Sequence, residues 1–193
     1  MKTNQSTRKI KPIPPGSGAN KKIAEMLRID HAGETAAVGI YRGQKAVFSS
    51  LAHKQDLAEK FSQMQADEQI HLDAFNEQLL QRGERPTAMI GIWSGMSYAL
   101  GVGTALLGER AAHACTEAVE SVIEKHYQEQ IDELDAGHDQ PELREMFVQF
   151  REDELQHRDH AIDHGAKDAP GYPLLSAIIT LGCKAAIKIS SKV

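Results

Sequence analysis

Two short stretches of this chain repeat one another: Asp67-Glu68-Gln69-Ile70-His71 and Asp153-Glu154-Leu155-Gln156-His157. On an α-helix residues three apart share a face, so Glu68 with His71, and Glu154 with His157, can each grip a metal ion from one side. A shift of 86 residues carries the first stretch onto the second, and it also carries Leu57, Phe61, Met64 and Phe75 onto Leu143, Phe147, Phe150 and Ala161. This four-three spacing is the inward seam of a bundle helix, with a glutamate and a histidine where apolar residues belong. The same shift places Glu34 on Glu120 and Tyr41 on Tyr127, and each of these glutamates precedes its Glu-x-x-His glutamate by 34 residues. A chain so patterned has to gather four helices, each turning a carboxylate inward.

Buried carboxylates resist desolvation and repel one another. Two divalent cations neutralise four of them, and neutral imidazoles complete each ion's shell. The order Glu, Glu-x-x-His, Glu, Glu-x-x-His is the ligand set of ferritin-like di-iron or di-manganese bundles. The expected fold is therefore all-α: a ferritin-like four-helix bundle with an internal repeat. Its expected ligands are Glu34, Glu68, His71, Glu120, Glu154 and His157. Glu117 and Glu124 flank Glu120 and are alternatives, but the repeat maps Glu120 onto Glu34. Metal-bound histidines commonly donate their other ring N–H to a carboxylate. Asp67 and Asp153 are expected to do this, each supporting the histidine of the opposite pair. Tyr41 and Tyr127 share faces with Glu34 and Glu120; each could border a substrate pocket, though plain packing is the stronger expectation for Tyr41.

The pattern predicts helices from a cap at Asn20 to about Ser50, from Asp56 to Arg82 with Gly83 as the stop, through Glu120 to about Leu134, and onward from Pro141. Gly33, Gly39 and Gly43 weaken the first helix unless a neighbour approaches closely there. Residues 1–20 hold Lys2, Arg8, Lys9, Lys11 and three prolines, and read as a flexible basic tail ahead of a bundle spanning 21–193. One arginine and the prolines argue against a transit helix. Residues 88–107 carry no charge. A single membrane crossing there would separate Glu34, Glu68 and His71 from Glu120, Glu154 and His157, so the segment is expected either to be buried or to dip into one leaflet and return. Residues 174–193 carry Lys184, Lys188 and Lys192 as one stripe on an apolar helix, which suits an anionic membrane surface or a cap on the bundle. His160 and His164 lack the thiolates or converging ligands of a structural zinc site and read as solvated or supporting residues.

At 193 residues and 41% hydrophobic, the chain has one domain's worth of core, and its net charge of −5 gives no basic face for nucleic acid. Cys115 and Cys183 form no disulfide framework and suit a reducing compartment.

The runs Arg28-Ile29-Asp30-His31-Ala32-Gly33-Glu34, Ile40-Tyr41-Arg42-Gly43-Gln44, Gly103-Thr104-Ala105-Leu106-Leu107-Gly108, Cys115-Thr116-Glu117-Ala118-Val119-Glu120 and His126-Tyr127 closely resemble the demethoxyubiquinone hydroxylases of ubiquinone biosynthesis, from about Lys21 to the C-terminus. The resemblance implies the same six residues as iron ligands. It also implies an O2-dependent monooxygenase acting on a polyprenylated quinone ring, NADH as electron donor, and His126 and Tyr127 near the substrate. A further implication is a peripheral membrane enzyme on the cytoplasmic face of a bacterial inner membrane, or on the matrix face of the mitochondrial one, working beside other proteins of ubiquinone biosynthesis. The rival readings are a ferritin-like protein that stores iron or scavenges peroxide, and a metal-free helical module on a membrane surface.

Overall fold

The computed structural model describes residues 18–137 and 140–192. Most of the expected basic tail lies outside them, and its last residues belong to the first helix. Six α-helices follow in order: α1 Gly18–Ser49, α2 Gln55–Arg82, α3 Ile90–Leu106, α4 Glu109–Asp135, α5 Pro141–Asp163 and α6 Tyr172–Ser190. Single 3-10 turns lie at Ala52–Lys54 and Ala166–Asp168, and no strand occurs among the described residues. Helix α1 begins at Gly18, which puts Asn20 inside the first turn rather than at the cap where the sequence suggested it.

Local signals set most of the boundaries. Gly83 ends α2 in the left-handed region at φ 66°, and its N–H and that of Glu84 close back on Leu80 and Leu79. Pro141 sits in the first turn of α5, where an N–H has no intrahelical partner to lose.

The helices α1 and α2 form one tight hairpin, and α4 and α5 form the other; together they are the four-helix bundle. Backbones approach closely within each hairpin and stay farther apart between hairpins, where large side chains fill the gap. Two apolar plugs occupy that gap. One gathers Leu27, Phe75, Leu79, Tyr127, Ile131, Phe147 and Phe150; the other gathers Ala37, Tyr41, Phe48, Phe61, Met64 and Ala112. Glu34, Glu68, His71, Glu120, Glu154 and His157 are buried in the same helices at seam positions between those apolar residues.

The charge-free segment is neither buried nor bent back. It forms the single continuous helix α3, packed along α1, with Ser97, Gly101, Thr104 and Ala105 inward and Ile92, Met96 and Leu106 outward, as is Leu107 just past its end. The approach is close: a Cβ on Gly101 would lie 2.1 Å from the Ile40 carbonyl oxygen, and one on Gly43 2.5 Å from that of Tyr98. The packed side is made of small residues, which is what lets the two backbones approach, and the large apolar side chains are left on the other face. Gly33 does not share the role expected of it, for nothing lies within 4 Å of the Cβ it lacks.

Helix α6 docks along α4, burying Ile179 and Ser190, while Leu174, Ile178, Leu181 and Ile189 face outward together with Lys184 and Lys188. By length and composition alone it could cross a membrane. Its packing on α4 gives it one protein face, and its lysines lie on the exposed, otherwise apolar side. The Trp93 indole at the start of α3 donates to Ser190 Oγ at the end of α6, 3.0 Å away, tying the two flanking helices together. Covered by its neighbours, α4 is buried at every position from Ala111 to Glu120.

Candidate metal centre

Glu34 comes from α1, Glu68 and His71 from α2, Glu120 from α4, and Glu154 and His157 from α5. The structure brings all six together in two overlapping groups. Glu34, Glu68, His71 and Glu154 offer ligand atoms within 4.8 Å of one another, and so do Glu68, Glu120, Glu154 and His157. Glu68 and Glu154 belong to both groups, as bridging residues would.

The atoms follow the same division. His71 Nδ1 lies 3.6 Å from Glu68 Oε2 and 3.2 Å from Glu154 Oε1, whereas His157 Nδ1 lies 2.8 Å from Glu68 Oε1 and 3.7 Å from Glu154 Oε2. Each shared carboxylate thus presents one oxygen to each histidine. Within this cluster eight buried atoms have no hydrogen-bond partner: both oxygens of Glu68 and of Glu154, one oxygen each of Glu34 and Glu120, and Nδ1 of His71 and of His157. Buried polar atoms are almost always satisfied, so a converging set of orphans fits bound cations. The set divides into four atoms for each of two ions, and oxygen with imidazole donors suits a first-row divalent metal. The residues therefore fit a two-metal group.

The atoms outside this set are engaged elsewhere. His71 Nε2 is 3.3 Å from Asp153 Oδ2 and His157 Nε2 is 3.5 Å from Asp67 Oδ2, an exchange between the two halves that leaves each Nδ1 free to coordinate. Glu34 Oε1 accepts from the Tyr127 hydroxyl, and Glu120 Oε1 from the Tyr41 hydroxyl. Sequence reasoning missed these two bonds, and it favoured plain packing for Tyr41. The signal was present in the repeat, which pairs the tyrosines at seven residues after paired glutamates.

Without cations the charges compensate within the protein. Burial would raise the Glu68 carboxyl, but the imidazoles of His157 and His71 outweigh it and hold it at about 2. Burial opposes protonation of His157, yet the carboxylates of Glu154 and Glu68 push it up to about 11, and His71 is likewise raised. Glu120 is raised by burial and by the charges of Glu154 and Glu68; Glu34 is raised by burial against the pull of His71. Burial also raises Tyr41 and Tyr127, keeping their hydroxyls as donors.

Other candidates lie apart. Glu117 accepts from the hydroxyls of Tyr172 and Ser121, and Glu124 pairs with Arg151 at 2.7 Å, so the two alternatives to Glu120 are committed elsewhere. His126 is half-buried beside a different polar group. The Gln130 amide donates to Asp30 Oδ1 at 2.9 Å and approaches His126 Nε2 at 3.1 Å, which makes that nitrogen the acceptor and the ring neutral. Burial lowers the His126 pKa in keeping with this. His160 and His164 lie against each other, tilted by 32° with centroids 3.9 Å apart, and border the buried His113, but their nitrogens join no metal-holding group among the described residues.

The family profile described as ubiquinone biosynthesis protein COQ7 matches residues 21–190. Over 171 residues the chain is 43% identical to the 3-demethoxyubiquinol 3-hydroxylase of Rhodospirillum rubrum, covering 89% of this chain and 78% of that one. It is 41% identical to the mitochondrial NADPH-dependent 3-demethoxyubiquinone 3-hydroxylase of Mus musculus, covering 88% and 77%. With the mitochondrial 5-demethoxyubiquinone hydroxylase of Saccharomyces cerevisiae the identity is 35%, covering 86% and 76%. A profile match across nearly the whole chain, with relatives this similar over most of their own length, shows that the chain belongs to the ubiquinone biosynthesis protein COQ7 family.

Proposed function

We propose that this chain hydroxylates the ring of a demethoxyubiquinone with one atom of O2, the other leaving as water, at a site that holds two iron ions. The observation that carries the reading is the set of eight unpartnered buried atoms, grouped four and four around two shared carboxylates. Glu34 and His71 would serve one ion, Glu120 and His157 the other, and Glu68 and Glu154 both. Bound iron supplies the one-electron chemistry that spin-paired organic groups lack toward O2. The protein's own residues do the rest. Phe150 stacks on the His71 ring at 4.0 Å, and the apolar plugs exclude bulk water from around the carboxylates. Asp153 and Asp67 hold the two imidazoles with Nδ1 inward.

The relatives' names supply the substrate class. The exposed apolar faces of α3 and α6 support a peripheral membrane placement, where a polyprenylated quinone can pass from the bilayer to the protein without crossing water; the lysines of α6 suit anionic headgroups. Either the cytoplasmic face of a bacterial inner membrane or the matrix face of the mitochondrial one accords with relatives from both sources. For the reductant, the family resemblance implied NADH and the Mus musculus relative is named for NADPH, so both belong in the assay.

The test is mass spectrometry of a demethoxyubiquinone analogue incubated with iron-loaded protein, ¹⁸O2 and NADH or NADPH. A hydroxylated product carrying one ¹⁸O, and abolished by Glu154→Ala, is expected. No product from protein verified to hold two irons, even with a chemical reductant, would overturn the reading in favour of iron storage or peroxide scavenging.

A further inference from the structure

Resting on the two-ion reading above, we infer that Tyr41 and Tyr127 are positioning residues that each limit the unshared glutamate of the other half to a single coordinating oxygen. Tyr41 lies on α1 seven residues after Glu34, yet it bonds Glu120 on α4. Tyr127 lies on α4 seven residues after Glu120, yet it bonds Glu34 on α1. Each of these helices therefore supplies a ligand to one ion and a donor to the other ion's ligand.

The bonds fall only where the two sites are not shared. Glu68 and Glu154 keep both oxygens unpartnered, as residues serving two ions require, whereas Glu34 and Glu120 keep one. A carboxylate with two free oxygens can close on one ion as a chelate or swing between ions. With a buried hydroxyl donating to Oε1, that oxygen's lone-pair density is partly committed, and Oε2 is the one unpartnered donor left to the ion. Both tyrosine rings are almost wholly buried, at 0% and 1% exposure, so no solvent competes for either bond. The rings are also locked by packing: Tyr41 stacks with Phe61 at 6.2 Å, and Tyr127 lies 5.7 Å from Phe147. A donor held this firmly constrains its carboxylate, as partners of metal ligands generally do.

The crossed arrangement gives a signature that general loosening would not. Cobalt(II) is titrated into metal-free protein, and the paramagnetically shifted ring N–H signals of His71 and His157 read the two ions separately. Tyr41→Phe, which keeps the ring and removes only the hydroxyl, is expected to weaken one of two cobalt ions about tenfold, shifting the His157 signal and sparing that of His71. Tyr127→Phe is expected to do the converse. Unchanged affinities and signals in both variants, or equal disturbance of both signals by each, would overturn the inference. Each variant decides independently, and thermal unfolding of the metal-free forms verifies that it folds. Wild-type protein that takes up no cobalt would overturn the two-ion reading itself, an outcome separate from the variants' behaviour.

Discussion

His113 is fully buried with neither ring nitrogen hydrogen-bonded, 5.4 Å from the Phe61 ring, 5.4 Å from His164 and 5.9 Å from His160. Burial, and then the charge of His164, lower its pKa to about 4, with Glu109 opposing. The unfolded chain binds that proton near the ordinary histidine value of about 6.5. Because the folded pKa is depressed, the native state is penalised as pH falls: the contribution is intact above about 6.5 and is lost progressively toward 4. The size is on the order of 3 kcal/mol. Urea unfolding of metal-free protein at pH 7 and pH 4.5 should show that loss, and His113→Phe should remove much of it. An equal acid sensitivity in the variant would assign the effect to other groups, among them His160, which burial also lowers to about 4.

At the scale of the elements, the α1–α3 contact separates two glycines that look alike in sequence. Gly101 faces the Ile40 backbone at a distance no Cβ can occupy, so Gly101→Ala has to push α3 away and is expected to cost about 1–3 kcal/mol, as overpacking does. Gly33 has open space, so Gly33→Ala is expected to stabilise α1 by about 0.5–1 kcal/mol. Denaturant midpoints for the pair check both signs. The four bundle helices were legible because their seams repeat at helical spacing and because Gly83 and Pro141 punctuate them. The placement of α3 was not, since a charge-free run fits a buried, re-entrant or docked helix equally well by composition.

For the whole molecule, the cluster joins two hairpins whose backbones otherwise keep their distance. Cations that bind only the folded arrangement stabilise it by mass action, about 2.7 kcal/mol per site at a hundredfold excess over Kd. Thermal unfolding with iron(II) or cobalt(II) should therefore occur well above that of the chelator-treated protein, and a Tm unmoved by either metal would contradict the site.

The sequence by itself set out four helices with six inward residues, and it suggested the two aspartates as supports for the opposite histidines. Duplication writes equivalent positions at a constant offset, and helical periodicity converts offset into facing. Only the tertiary structure decided which oxygens stay free. The bonds from Tyr41 and Tyr127, the commitments of Glu117 to Tyr172 and of Glu124 to Arg151, and the turn of His126 toward Asp30 each join residues on different helices. Such pairings depend on where helices stand relative to one another and how each side chain is rotated. Spacing along one helix carries neither quantity.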